Sequence, residues 1–158
     1  MTRPPYFPMM IDLWGKQVLI AGGGHVASRR ADTLLKCGAD ILAVSPEFSP
    51  NFPEAVHRIT RLFTPNDITP DYTLIIAATD SREVNSLIHS LAVNAGIPVN
   101  VCDSQNECDF FFPSLINHDN VAVSVCTAGI SASLTRKLSN KLRRVWDSWV
   151  TETFSAVL

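Results

Sequence analysis

The segment Val18 to Ala27 reads VLIAGGGHVA and holds the residue types best suited to chemistry in this chain. An apolar run ends at Ala21, and Gly22-Gly23-Gly24-His25-Val26-Ala27 then satisfies G-x-G-x-x-A where a helix is expected to begin. Each small residue has a separate use. Gly22 permits a tight turn, Gly24 lets the main chain approach a pyrophosphate, and Ala27 allows the helix to lie close against the strand. Free amides at the helix start, together with the positive end of its dipole, attract phosphate. The chemistry expected is dinucleotide binding, and the alternative is a glycine turn that only connects two elements.

The end of the next strand normally supplies an acid to the adenosine ribose hydroxyls. Here it reads Ser45-Pro46-Glu47, so Ser45 or Glu47 is the candidate, with a solvated loop carboxylate as the alternative for Glu47. No Arg stands there to pair with a ribose phosphate, which favours NAD over NADP. Later runs end in Thr79 and Asp80, in Asn100 and Asp103, and in Thr127 and Gly129, at the edge where ligands of an open α/β sheet bind. Asp103 is the ionisable side chain that directly follows the run Ile97 to Val101, so it is the candidate to exchange a proton or orient a substrate. A loop cap is its other reading. Thr79 is assigned to the cofactor, with capping of the helix near Ser81 as its alternative.

Other side chains carry weaker signals. His25 sits within the glycine turn, and His57, His89 and His118 are scattered. Cys37, Cys102, Cys108 and Cys126 form no C-x-x-C pair, so free thiols and no metal site are expected. Cys126 reads as a buried strand residue, and Phe110 to Phe112 as core and interface. Arg136, Lys137, Lys141, Arg143 and Arg144 make one stretch positive, read as a solvated helix face or an attraction for a polycarboxylate. A net charge of −2 argues against nucleic acid.

Several elements must position these residues. Continuous runs at Val18 to Ala21, Ile41 to Val44, Leu74 to Ala78, Ile97 to Val101 and Val121 to Val125 suit parallel strands covered on both faces. Between them, Val26, Ala27, Leu34 and Leu35 predict one helix ending before Gly38. Val84, Leu87, Ile88, Leu91 and Ala95 predict another, capped by Asp80 or Ser81 and ended by Gly96. Residues 45–73, broken by five prolines, read as loop with one weak strand over Arg58 to Phe63. From Ser131 a helix follows Leu134, Leu138, Leu142 and Val145 toward Trp149. The fold expected is α/β, a doubly wound Rossmann-type parallel sheet with helices on both faces and a C-terminal helical extension. Its expected division is a dinucleotide-binding domain over 1–130 and a helical segment over 131–158. At 158 residues, with 46 % hydrophobic and 18 % charged positions, the chain can bury a real core and is not disordered. It shows neither a secretory signal nor an apolar run of membrane-spanning length, and a cytoplasmic protein is expected. Trp146, Trp149 and Phe154 are candidates to cover a partner's surface or to pack on their own sheet.

With these residues in view, the chain resembles the siroheme synthase family. The matching pieces are FPMMIDLWGKQVLIAGGGHVASRRADTLLKCGADILAVSPEF, then LIIAATD followed by Asn85, then IPVNVCDSQNECDFFFP, then VSVCTAGISASLTRKL. The resemblance runs from about Phe7 to Leu142. It implies NAD-dependent dehydrogenation of precorrin-2 to sirohydrochlorin, with iron insertion in bifunctional members, and a homodimer. By the resemblance the cofactor lies over Gly22, Gly24, His25, Val26, Ser45, Pro46 and Glu47, and Asp103 is the aspartate that acts in dehydrogenation. Where the family reads G-x-S-P, this chain has Gly129-Ile130-Ser131-Ala132. Family members continue into a dimerisation and helical region, of which residues 131–158 read as the start. The competing expectation is an NAD-binding sensor or scaffold without turnover.

Overall fold

The computed structural model describes residues 6–118 and 121–157, with side chains described as far as Thr153; the Phe154 ring proposed for a partner surface lies outside them. Two compact units divide the described chain. One spans Phe7–Phe110, and the other gathers Tyr6 with Phe111 onward.

In the first unit, β1 (Gln17–Ala21), β2 (Asp40–Ser45), β3 (His57–Thr60), β4 (Leu74–Ala77) and β5 (Val99–Val101) form one sheet in the order β3-β2-β1-β4-β5. All four pairings are parallel. Leu19, Ala21, Ile75, Ala77, Val99 and Val101 belong to one core with Ile88, Ala92 and Ile97. The intervening Val18, Ile20 and Ile76 are equally buried, on the other face. Burial on both faces is why these strands read as unbroken apolar runs. The expected doubly wound sheet is therefore present, and its strand order reverses between β1 and β4.

Helix α1 (His25–Leu35) follows β1, and α2 (Arg82–Ala95) follows β4. Gly38 and Gly96 adopt left-handed backbone, as their places after the helices predict. The buried faces differ from the expected stripes. Helix α1 buries Ala27, Ser28, Ala31 and Leu34 and leaves Val26 exposed. Helix α2 buries Asn85, Ile88 and Ala92 while Leu87 is exposed. The weak strand predicted at Arg58 to Phe63 exists as β3, shifted to His57–Thr60.

The second unit overturns part of the strand reading. Val121–Val125 is a strand, β7, but it pairs antiparallel with a strand the sequence did not announce, β6 (Ser114–His118), in a separate two-stranded sheet. Its exposure alternates, with Ala122 and Ser124 exposed between half-buried valines, which is the pattern of a strand covered on one side. Helix α3 (Ala132–Val157) supplies that cover, with Trp146 and Val150 closing on Ile116 and with Val121, Val123 and Leu142 packed around them. The hairpin and α3 pack together and fall in the same compact unit. The helix read from Ser131 is present as α3, and its apolar stripe is largely exposed at Leu134, Leu138, Val145 and Trp149, since two strands cover only one side of the helix. Cys126, expected inside a strand, follows β7 and is exposed.

Candidate nucleotide-binding site

The glycine turn lies at the carboxyl edge of the sheet, where the strand order reverses and ligands of such folds bind. It is clamped from both sides. The Gly22 N–H donates to Val44 O at 2.9 Å, and the Ser49 N–H donates to Gly23 O at 2.8 Å. A Cβ on Gly22, whose φ is +123°, would stand 2.2 Å from Ala78 O, and one on Gly23 would stand 2.0 Å from Glu47 O. Neither position can hold a side chain. Gly24 differs, because a Cβ there would meet nothing within 4 Å.

Gly24 also caps α1, and no side chain closes that helix end: there is no side-chain hydrogen bond at the cap and no acidic residue in the first turn. The contrast with α2 is direct. Ser81 Oγ accepts from the Val84 N–H at 3.3 Å, and Glu83 occupies the first turn. One helix is completed by its own sequence, whereas the other leaves its positive end open beside space for a ligand, the arrangement that accepts a phosphate. Ser49 adds a buried hydroxyl without a hydrogen-bond partner among the described residues, on the loop that folds over Gly23. These features fit a dinucleotide, which would lie over Gly24 with Gly22 and Gly23 forming the floor.

The proposed cofactor residues gather here in part. Gly22, Gly24, His25 and Val26 form the turn and the helix start, with His25 and Val26 exposed. Ser45 is buried, its Oγ 2.8 Å from where a Gly23 Cβ would be, while Pro46 and Glu47 are exposed. Thr79 joins the other wall, since its N lies 3.2 Å from the corresponding Gly22 position. Its hydroxyl is engaged 2.7 Å from Asn85 Oδ1. Asp103 is linked to that wall through Asn85, whose Nδ2 donates to Thr79 O and to Asp103 Oδ2, each at 3.0 Å.

Two residues at this edge, Asn85 and Arg82, escaped the sequence reading as site members. Asn85 had entered only as a marker of resemblance, yet it is completely buried in the middle of the α2 apolar face. A polar residue where the stripe calls for an apolar one was the available signal. Arg82 donates to Asp103 Oδ1 at 2.7 Å and also holds Glu107. The Arg82 guanidinium has its pKa raised, first by its hydrogen bond to Glu107 and further by the charge of Asp103. Burial raises the pKa of the thiols of Cys102 and Cys108 on either side of this loop.

Asn100 is used locally, donating to Phe110 O at 2.8 Å. Thr127 and Gly129, expected at the edge of the same sheet, belong to the second unit, where the Thr127 hydroxyl donates to Ser131 O at 3.0 Å. Among the described residues no helix is long and apolar enough to cross a membrane.

Comparison with known proteins agrees with this geometry. The chain is 41 % identical over 140 residues to Siroheme synthase 2 of Aeromonas hydrophila, covering 87 % of this chain and 30 % of the relative. It is 36 % identical over 142 residues to the siroheme synthase of Actinobacillus pleuropneumoniae, covering 87 % and 29 %. It thus spans roughly three tenths of the length of these curated relatives. The solved structure of SirC, a precorrin-2 dehydrogenase, shares the fold with a TM-score of 0.75 at 24 % identity, over 95 % of this chain and 76 % of that one. A family model described as "Putative NAD(P)-binding" matches residues 9–114, from ahead of β1 through the Asp103 loop, and the chain belongs to that NAD(P)-binding family.

Proposed function

We propose that this chain carries the NAD-dependent dehydrogenation of precorrin-2 to sirohydrochlorin. One observation carries the reading. The glycine turn lies beside Ala78 and Thr79 at the carboxyl edge of the sheet, and from Thr79 hydrogen bonds run across Asn85 to the exposed carboxylate of Asp103. Cofactor and a proton-handling group thus share one edge of the sheet. The likeness to siroheme synthases supports the choice of substrate.

Bound NAD would supply the hydride acceptor. The chain's own residues do the rest. Gly24 and the first amides of α1 hold the pyrophosphate, Ser45, Pro46 and Glu47 border the adenosine ribose, and Thr79 forms the opposite wall. Asp103, set by Arg82 and Asn85, takes the proton that leaves as the macrocycle loses a hydride, or orients the macrocycle for that loss. The absence of a basic residue at positions 45–47 supports NAD over NADP. Four free cysteines accord with a reducing, cytoplasmic setting. We also place a homodimer contact on the exposed stripe of α3, Leu134, Leu138, Val145 and Trp149.

The test is spectrophotometric. With precorrin-2 and NAD supplied, NADH absorbance rises, and Asp103→Ala lowers turnover by on the order of 10²-fold or more while NAD still binds. Unaltered turnover in that variant removes Asp103 from the mechanism. NAD binding by the wild type without sirohydrochlorin, at any protein concentration, favours the sensor or scaffold reading instead.

A further inference from the structure

We propose that Asn85 is a positioning residue for Asp103, a buried amide that sets the carboxylate at a fixed place relative to the β4 wall of the cofactor site. The inference rests on the dehydrogenase reading given above. Asn85 is 0 % exposed and makes every hydrogen bond its side chain can make. Its Oδ1 lies 3.1 Å from the Thr79 N and 2.7 Å from Thr79 Oγ1, accepting from both. Its two Nδ2 hydrogens go to Thr79 O and Asp103 Oδ2.

The amide can face only one way. Turned over, its oxygen would oppose Thr79 O and the Asp103 carboxylate, and its NH2 would oppose the Thr79 N–H. Three of the four bonds anchor Asn85 to a single residue at the end of β4. The fourth is therefore a rigid arm that reaches Asp103, 18 positions along the chain. Arg82 contributes the second restraint on the same carboxylate, at Oδ1. Arg82 is shared with Glu107 and lies near the surface, whereas Asn85 is enclosed and has no alternative partner among these contacts. Buried, fully satisfied polar groups of this kind hold a neighbouring group in one geometry. A displacement of about 1 Å at a reacting group costs on the order of 10²-fold in rate.

Asn85→Asp separates the two halves of the amide's work. It keeps an oxygen for the Thr79 donors and replaces the donor to Asp103 Oδ2 and Thr79 O with an acceptor. Expected are a fall in kcat of on the order of 10²-fold and a KM for NAD changed by no more than about twofold. In an Asp103→Ala background the same substitution causes no further loss, because Asn85 acts through that carboxylate. Additive losses would overturn the proposal, as would wild-type kcat in Asn85→Asp. A second measurement needs neither cofactor nor turnover and disturbs only an exposed side chain. In the NAD-free 158-residue chain, Asp103→Ala shifts the Asn85 side-chain amide signals in the 1H–15N spectrum and speeds their exchange with solvent; signals that stay unmoved refute the proposal even if Asn85→Asp does not fold. Failure of the wild type to form NADH overturns the dehydrogenase reading separately, and the NMR result still decides whether Asn85 orients Asp103.

Discussion

Asp67 shows how a charged residue can be decisive for the fold while standing outside the chemistry. It ends a single 3-10 turn over Pro65–Asp67, is nearly buried, and accepts from the Arg61 guanidinium and, at 2.7 Å, from the Thr64 N–H. Its pKa is lowered, first by the hydrogen bond to Arg61. A carboxyl whose folded pKa is depressed adds stability that is present above its ordinary range and disappears as pH falls through the folded value. Asp67→Asn should therefore lower the denaturation midpoint at pH 7, and the gap from wild type should close in acid. Urea melts across pH check this, and a gap that persists at the lowest pH would contradict it. At this scale the sequence was uneven as a guide. The glycines and Asp103 could be read because their neighbours along the chain define their setting. Asn85 and Arg82 could not, because their partner Asp103 lies 18 and 21 residues away and only the return of β5 beside β4 brings it close.

Among the elements, the strand-turn-helix of β1 and α1 separates folding from binding within three adjacent glycines. Gly22→Ala places a methyl group against Ala78 O and forces an unfavourable φ, so the variant should lose several kcal/mol of stability, about what strain plus an enforced clash cost. Gly24→Val has ordinary backbone, φ −78°, and open space for its side chain. It should shift the melting temperature by only a few degrees, about what the loss of a helix cap costs. It should nonetheless abolish NAD binding by filling the phosphate cradle. Calorimetry with NAD and thermal melts on both variants test the pair, and tight NAD binding by Gly24→Val would remove the cradle from the site. The parallel strands were legible because burial on both faces writes itself as apolar runs. Strand β6 was missed because Ser114, Asn117 and His118 supply no such run, and β7 was misassigned because its alternation was read as continuity. The stripe on α3 was found, but periodicity alone does not say whether a neighbouring element covers it.

Across the described residues as a whole, that stripe stays exposed. If the α3 face joins two copies, Leu138→Glu inserts a charge into an apolar contact. The variant should remain monomeric at concentrations where the wild type self-associates, as sedimentation velocity would report. An unchanged association would move the interface elsewhere. The unfinished start of α1 has a wider consequence. A helix end without a side-chain cap leaves its first amides to water or to a bound anion, so any anion bound there links the folded state to ligand occupancy. At a hundred times its dissociation constant a ligand adds about 2.7 kcal/mol to a fold's stability. A cell depleted of dinucleotide would thus hold this protein less firmly and expose it sooner to proteolysis, tying its lifetime to the supply of that nucleotide.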